Sequence, residues 1–182
     1  MPRGRPPYLP AQEDVQNTYM DPGYIPDGDY SVAQITRNSR ETHVREAWLV
    51  MLADVFHIYD GFRINHETDI RTGRIDMAVA RLENHTRLNF LILELKRSSY
   101  ANSDEALLNA ENQLMGYMTS VGHTESDKLW GALCIGKSVQ FYKFDDSGEE
   151  PQLMALHQDM LRIDRQPQTV KQWLEYIRSN VI

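Results

Sequence analysis

Apolar residues return every three or four positions from Val44, through Ala47, Trp48, Met51 and Leu52, to Val55, and this period predicts an amphipathic helix over residues 39–57. Asn38 or Ser39 stands where a cap belongs, and Glu41 completes a capping box with Asn38, so the helix has a marked start; it should end near Asp60-Gly61. The period then changes. Phe62 to Glu67, Arg74 to Arg81 and Leu88 to Leu95 are short runs rich in apolar and branched residues, which predicts three strands in a meander, the last two joined by a polar turn around Glu83-Asn84-His85. Helical spacing resumes over residues 104–120, with Leu107, Leu114, Met118 and Val121 on one stripe and Ala106, Ala110, Gln113 and Tyr117 on the next. Leu129 to Ile135 and Ser138 to Phe144 predict two more strands that turn at Gly136-Lys137. Val170, Trp173, Leu174, Ile177 and Val181 mark a closing helix, and no internal repeat is present.

Six of the eight prolines fall in the first 26 residues, so residues 1–30 are expected to form an irregular or extended arm, pinned by Tyr8, Tyr19, Tyr24 and Tyr30, ahead of a single domain over residues 31–182. Within that arm Arg3-Gly4-Arg5-Pro6 resembles the core of an AT-hook, which lies in the minor groove of A·T-rich DNA; a plain terminus is the alternative. A chain of 182 residues, 41% hydrophobic and 25% charged, suits one core rather than two. No apolar run reaches the roughly 18 residues that cross a bilayer, and the start lacks the apolar stretch of a signal peptide. The expectation is an intracellular protein, cytoplasmic or nuclear, with no membrane partner. Cys134 is the single cysteine, which excludes a disulfide framework and a cysteine-based zinc site.

Charge sharpens this picture. A net charge of -7 argues against a protein that coats nucleic acid nonspecifically, since such binding displaces counterions with many lysines and arginines. The distribution is uneven: residues 61–100 carry seven Lys/Arg against five acids, so this stretch is +2 and the remainder is -9. A basic surface on an acidic body fits a polyanion held at one place, although a mixed solvated surface explains it equally well.

The basic stretch also contains the strongest candidate chemistry. Asp76, in Arg74-Ile75-Asp76-Met77-Ala78-Val79, and the Glu94-Leu95-Lys96 that closes Leu91-Ile92-Leu93 lie close to strand ends, where Glu94 and Lys96, two apart, share a face. Carboxylates on adjacent strands can hold a hard divalent cation, and a lysine beside them can orient a water and offset the charge that develops when it attacks a phosphodiester. A buried salt-bridge cluster is the competing explanation.

The order helix, three strands, helix, strand, with Asp76 on the second strand and Glu94-x-Lys96 on the third, resembles the PD-(D/E)XK nuclease superfamily over roughly residues 36–144. Ile75 replaces the proline of the motif, which removes no ligand. The resemblance implies an α/β domain of the restriction-endonuclease-like fold, a mixed central sheet flanked by helices. It further implies that Asp76, Glu94 and the carbonyl of Leu95 bind Mg2+ or Mn2+ and that Lys96 positions the attacking water. Glu41 matches a glutamate that many members, Holliday junction resolvases among them, carry near the start of the first helix, and Gly61-Phe62-Arg63 matches their following turn. By this likeness Glu41 joins the metal site, its alternative role being the capping box. Gln113 and Tyr117, four apart, match a glutamine and tyrosine beside the catalytic centre of RecB-like members. Arg74, Arg97 and Tyr117 are expected to touch substrate, and Gln113 to act in catalysis.

Other motifs carry less. Gly131 to Ser138 satisfies the Walker A pattern, but its middle is strand-like and another strand follows it, where a phosphate loop must open a helix. His43, His57, His66, His85, His123 and His157 show no metal-ligand spacing, though His66 and His85 lie near enough in sequence to reach phosphate. Asn84-His85-Thr86 is a glycosylation sequon that matters only in a secretory route. The expected function is metal-dependent hydrolysis of phosphodiester bonds in DNA, with a homodimer or a protein partner to deliver substrate as a further expectation. A catalytically inactive nucleic-acid- or protein-binding module of the same fold is the main alternative, and a P-loop nucleotide-binding protein the remaining one.

Overall fold

Leu91, Ile92 and Leu93 are consecutive and fully buried, so the strand that carries them needs cover on both faces. A computed structural model describes residues 9–70, 73–121 and 128–181, and places that strand at the centre of a mixed sheet. The chain runs through helices α1 (Gly28–Ala33) and α2 (Glu41–Val55), then strands β1 (Phe62–Ile70), β2 (Gly73–Glu83) and β3 (Thr86–Lys96). Helix α3 (Asp104–Val121) leads to strands β4 (Trp130–Ile135), β5 (Ser138–Asp145), β6 (Gln152–Ala155) and β7 (Leu161–Arg162), and helix α4 (Pro167–Ser179) closes the chain. The sheet order is β1-β2-β3-β4-β5-β6, with β7 also on β5; β3 and β4 are parallel across the α3 crossover and the other pairs are antiparallel.

The apolar alternation of the strands divides into two cores. Met77, Val79, Leu91, Leu93, Leu95, Cys134 and Phe141 pack with α2 and α4, where Trp48 meets Phe141 edge-on at 6.3 Å. Ile75, Ala78, Ile92, Leu133, Tyr142 and Phe144 pack with Ala110, Leu114, Tyr117 and Met118 of α3 on the other face. This is the restriction-endonuclease-like arrangement expected from the element order. No helix among the described residues is long and apolar enough to cross a membrane.

Three features depart from the sequence reading. Helix α2 starts two residues late, at Glu41, and has no capping box: Arg40 is its cap residue, and no side chain caps it. Ser39 bonds back to Thr36 instead, its hydroxyl donating to Thr36 O at 2.9 Å and accepting from Thr36 N at 3.0 Å. Glu41 is thereby left free for another role. Secondly, residues 9–27 take the irregular rather than the extended form expected of the arm. Prolines bar them from a ladder, and side chains dock them instead: Tyr19 is buried with its hydroxyl donating to Ile163 O at 2.9 Å, Glu13 takes the Thr169 N–H at 3.0 Å, and Lys171 donates to Asn17 O at 2.8 Å. Thirdly, α1, β6 and β7 had no legible period, being six, four and two residues long. The AT-hook-like Arg3 to Pro6, Tyr8 and His123 lie outside the described residues.

Both hairpin turns follow from local backbone demands. Asn84 and His85, with φ of 48° and 65°, form the two-residue turn between β2 and β3, whose left-handed pair matches the twist of the strands. Gly136, at φ 55°, makes the β4–β5 turn with Lys137, so the Walker-like segment is strand, turn, strand.

Candidate active site

The meander is least regular where its charges gather. Strands β1 and β2 keep one register from Phe62↔Arg81 to Ile70↔Gly73, yet Glu67 and Asp76, which face each other within it, are unpaired. Glu67 has φ 51°, a left-handed conformation that costs a side-chain-bearing residue about 1–2 kcal/mol. Ile75 and Met77 bury on opposite faces of the sheet, which residues two apart in a regular strand cannot do, so the backbone of β2 turns at Asp76. Pairing of β2 with β3 ends at Met77↔Leu93. Across the gap Asp76 Oδ2 accepts the Leu95 N–H at 2.8 Å, a side chain standing in for the missing backbone acceptor.

On β3, Leu93 and Leu95 face α2, which sends Glu94 and Lys96 to the opposite side with Ile92. Glu94 is completely buried. Among the described residues its two oxygens have no hydrogen bond of ordinary geometry, and the Lys96 ammonium forms an ion pair with Oε1. Burial, then the nearby Asp76 charge, push the Glu94 carboxyl up to about 8, Glu41 adding to the rise and Lys96 opposing it. Burial alone would lower Lys96, but the contact with Glu94 and the charges of Asp76 and Glu41 outweigh it and raise its pKa, so the ammonium is charged at neutral pH. Glu41 is also raised, by desolvation against the protein wall and by Asp76, with Lys96, Arg45 and Arg97 opposing.

A cavity of about 230 Å3 opens beside these groups, lined by Glu41, Thr42 and Arg45 from the start of α2, Glu67, Arg74, Asp76 and Leu95. Its carboxylates and carbonyls are hard oxygen donors, its arginines are anion partners, and a charged lysine adjoins it. A family model describing the PD-(D/E)XK nuclease superfamily matches residues 32–142, more than half of the chain and the whole of this site.

The chain belongs to the PD-(D/E)XK nuclease superfamily.

A nucleic-acid substrate goes with that membership. No curated protein and no solved structure gave a match. PD-(D/E)XK nucleases generally use divalent metals, and the donor chemistry here suits one: Asp76, Glu41 and Leu95 line the cavity, and beside it the buried Glu94 has one oxygen on Lys96 and the other without a partner among the described residues. As they stand, however, the described residues contain no group of three His, Cys, Asp or Glu side chains set to hold an ion.

The expected site residues therefore gather unevenly. Glu41, Arg74, Asp76 and Leu95 share the cavity, with Glu94 and Lys96 next to it. Arg97 is exposed and within electrostatic reach of Glu41. Gln113 does not line the cavity: its side-chain amide donates to the Tyr117 hydroxyl at 2.6 Å. Tyr117 itself is buried in the α3 core, its ring against Gly73 at the start of β2. His85 sits at the far turn of the β2–β3 hairpin, away from Asp76, and His66 is exposed on β1. Three lining residues were missed, Thr42, Arg45 and Glu67. Arg45 was accessible to reasoning, because it follows Glu41 by one helical turn; a left-handed glutamate within a strand leaves no mark in the sequence.

Proposed function

We propose that this protein is a Mg2+- or Mn2+-dependent nuclease that hydrolyses phosphodiester bonds in DNA. Glu94 carries the reading. A fully buried carboxylate that has the Lys96 ammonium on one oxygen and, among the described residues, no partner on the other, beside a second carboxylate and a cavity, is an expensive arrangement for structure alone and a useful one for gripping a cation. Asp76, Glu94, Glu41 and the Leu95 carbonyl are the residues that would hold the ion. Bound there, Mg2+ or Mn2+ supplies Lewis-acid polarisation of a phosphate oxygen and a lower pKa for the attacking water.

The chain's own groups divide the remaining work. Lys96 is held charged by Glu94, Asp76 and Glu41, so it serves as a donor rather than a base: it orients the water and offsets negative charge as the phosphorus–oxygen bond forms. Asp76, fixed by the Leu95 N–H, keeps one oxygen committed to the backbone and the other available. Arg74, at the cavity wall, and the exposed Arg97 supply positive charge for the strand. An inactive binding module of this fold is the second reading, favoured by the net charge of -7 and by the absence of a preset three-carboxylate group among the described residues.

Incubation of supercoiled plasmid, linear DNA and RNA with the purified protein, in Mn2+ and in chelator, separates the two. Metal-dependent nicking of plasmid that Asp76→Ala abolishes supports the nuclease. DNA binding by the folded protein with no cleavage under any metal would establish the module in its place.

A further inference from the structure

Part of the cavity lining is built in an unusual way. Glu67 Oε1 meets Arg45 Nη1 at 2.6 Å and Glu67 Oε2 meets Arg74 Nη2 at 3.0 Å, so one carboxylate ties two guanidinium groups from different elements, α2 and β2. All three residues line the cavity. Arg74 also lies 3.8 Å from Asp69. Exposed ion pairs contribute little to stability, and with the Arg45, Glu67 and Arg74 side chains 27%, 43% and 59% exposed, this network cannot repay much. Glu67 nevertheless holds a left-handed backbone inside a strand, at the one position where β1 and β2 fail to pair. Strain retained at a cavity, without a matching structural gain, marks a functional position.

Charge indicates the ligand. The cavity lining holds Glu41 and Asp76, suited to a cation, and also two arginines, each with one guanidinium nitrogen on a different oxygen of the Glu67 carboxylate. A phosphate presents the same paired oxygens, and arginine binds both groups in the same planar geometry. We propose that Arg45 and Arg74 bind a backbone phosphate of the substrate strand, and that Glu67 is a positioning residue whose two oxygens hold one nitrogen of each arginine until that phosphate arrives. This rests on the nuclease reading for the identity of the strand, but not for the anion site itself. The tether to Glu67 holds both guanidinium groups at the cavity lining, so little side-chain ordering is left to the binding step. On binding, each arginine exchanges a carboxylate for a phosphate, and Glu67 is released toward solvent.

The test is fluorescence anisotropy of a short labelled single strand in chelator across a salt series, beside plasmid cleavage in Mn2+. Arg45→Gln and Arg74→Gln are expected each to weaken binding about five- to tenfold and to reduce the salt slope by about one. Arg87→Gln, at the far hairpin end, is expected to change neither. Glu67→Gln removes the competitor and is expected to tighten the strand while leaving the slope intact, an outcome that a purely structural ion pair would not produce. Equal affinity and slope for wild type, Arg45→Gln and Arg74→Gln would overturn the proposal and leave cleavage untouched. Should wild type cut nothing while both arginine variants still lose affinity, the nuclease reading fails and the phosphate site stands. A wild type that binds no strand in chelator overturns the site.

Discussion

Replacing Glu94 by glutamine keeps the shape of the side chain and removes its charge, which makes the cost of that charge measurable. In the folded, metal-free protein Glu94 is pushed up to about 8, against 4.5 for an ordinary glutamate. A carboxyl whose folded pKa is raised binds its proton more tightly when folded, so the stability it contributes is complete below pH 4.5 and is lost as pH rises through 8. The difference corresponds to roughly 4–5 kcal/mol at full ionisation, an upper figure because Lys96 and Asp76 titrate in the same field. Glutamine cannot ionise. Urea denaturation in chelator should therefore give nearly equal stabilities for wild type and Glu94→Gln at pH 5, and a variant more stable by about 2–4 kcal/mol at pH 9, or roughly 5–15 °C in melting temperature. Taking the difference between the two proteins cancels the other titrating groups. Adding Mn2+ at pH 9 should restore wild type, because the cation replaces the proton, and leave the variant where it was. A stability difference that is flat from pH 5 to pH 9 would refute the reasoning, since Glu94 would then carry no buried charge in the folded state.

The other predictions address single contacts. Asp76→Ala should lose Mn2+ binding by calorimetry together with cleavage, whereas Lys96→Ala should keep the metal and lose cleavage by about 10²- to 10⁴-fold, because it removes a donor and not a ligand. Gly136→Ala should destabilise the fold by about 2–3 kcal/mol in denaturant titration, since Gly136 has φ 55° and a Cβ there would lie 2.3 Å from Ser98 Oγ; ATP titration of wild type should give no binding heat, as the surrounding segment is a hairpin. Tyr19→Phe strands the buried Ile163 carbonyl and should cost about 1–2 kcal/mol in the same denaturation assay.

What could be read from the chain was whatever its own neighbourhood determines. Leu91 to Leu95 is apolar enough to require a covered strand, and that requirement alone puts Glu94 and Lys96 on one face at its end. The two α3 stripes were legible for the same reason, and Ala110, Leu114, Tyr117 and Met118, drawn from both, are the residues that bury; the close approach at Gly131, where Met118 Sδ leaves no room for a Cβ, came only with the structure. Misreadings occurred where two local solutions compete or where tertiary contact decides. Ser39 could cap the helix or close the turn at Thr36, and the turn wins. Gln113 could reach the sheet or bond along its own helix, and it finds Tyr117 one turn away. The docking of residues 9–27 depends on Ile163, Arg165 and Thr169, some 150 positions distant, which no periodicity can reveal.

The site itself is a place where regular structure is given up at a defined cost. Continuing the β2–β3 ladder past Met77↔Leu93 would have satisfied Leu95 with a backbone carbonyl and closed the gap. Asp76 takes that N–H instead, the strand turns, and Ile75 and Met77 anchor it in opposite cores so that the turn cannot relax. The opening brings Glu41, Asp76 and Glu94 into mutual repulsion, which Lys96 offsets only in part, as the raised carboxyl of Glu94 records. A divalent ion is the one addition that would relieve all three carboxylates at once. On the proposed metal reading, the electrostatic stress among the three carboxylates is what a bound cation would relieve, so a substitution that relaxes that stress, Glu94→Gln above all, is expected to weaken metal binding.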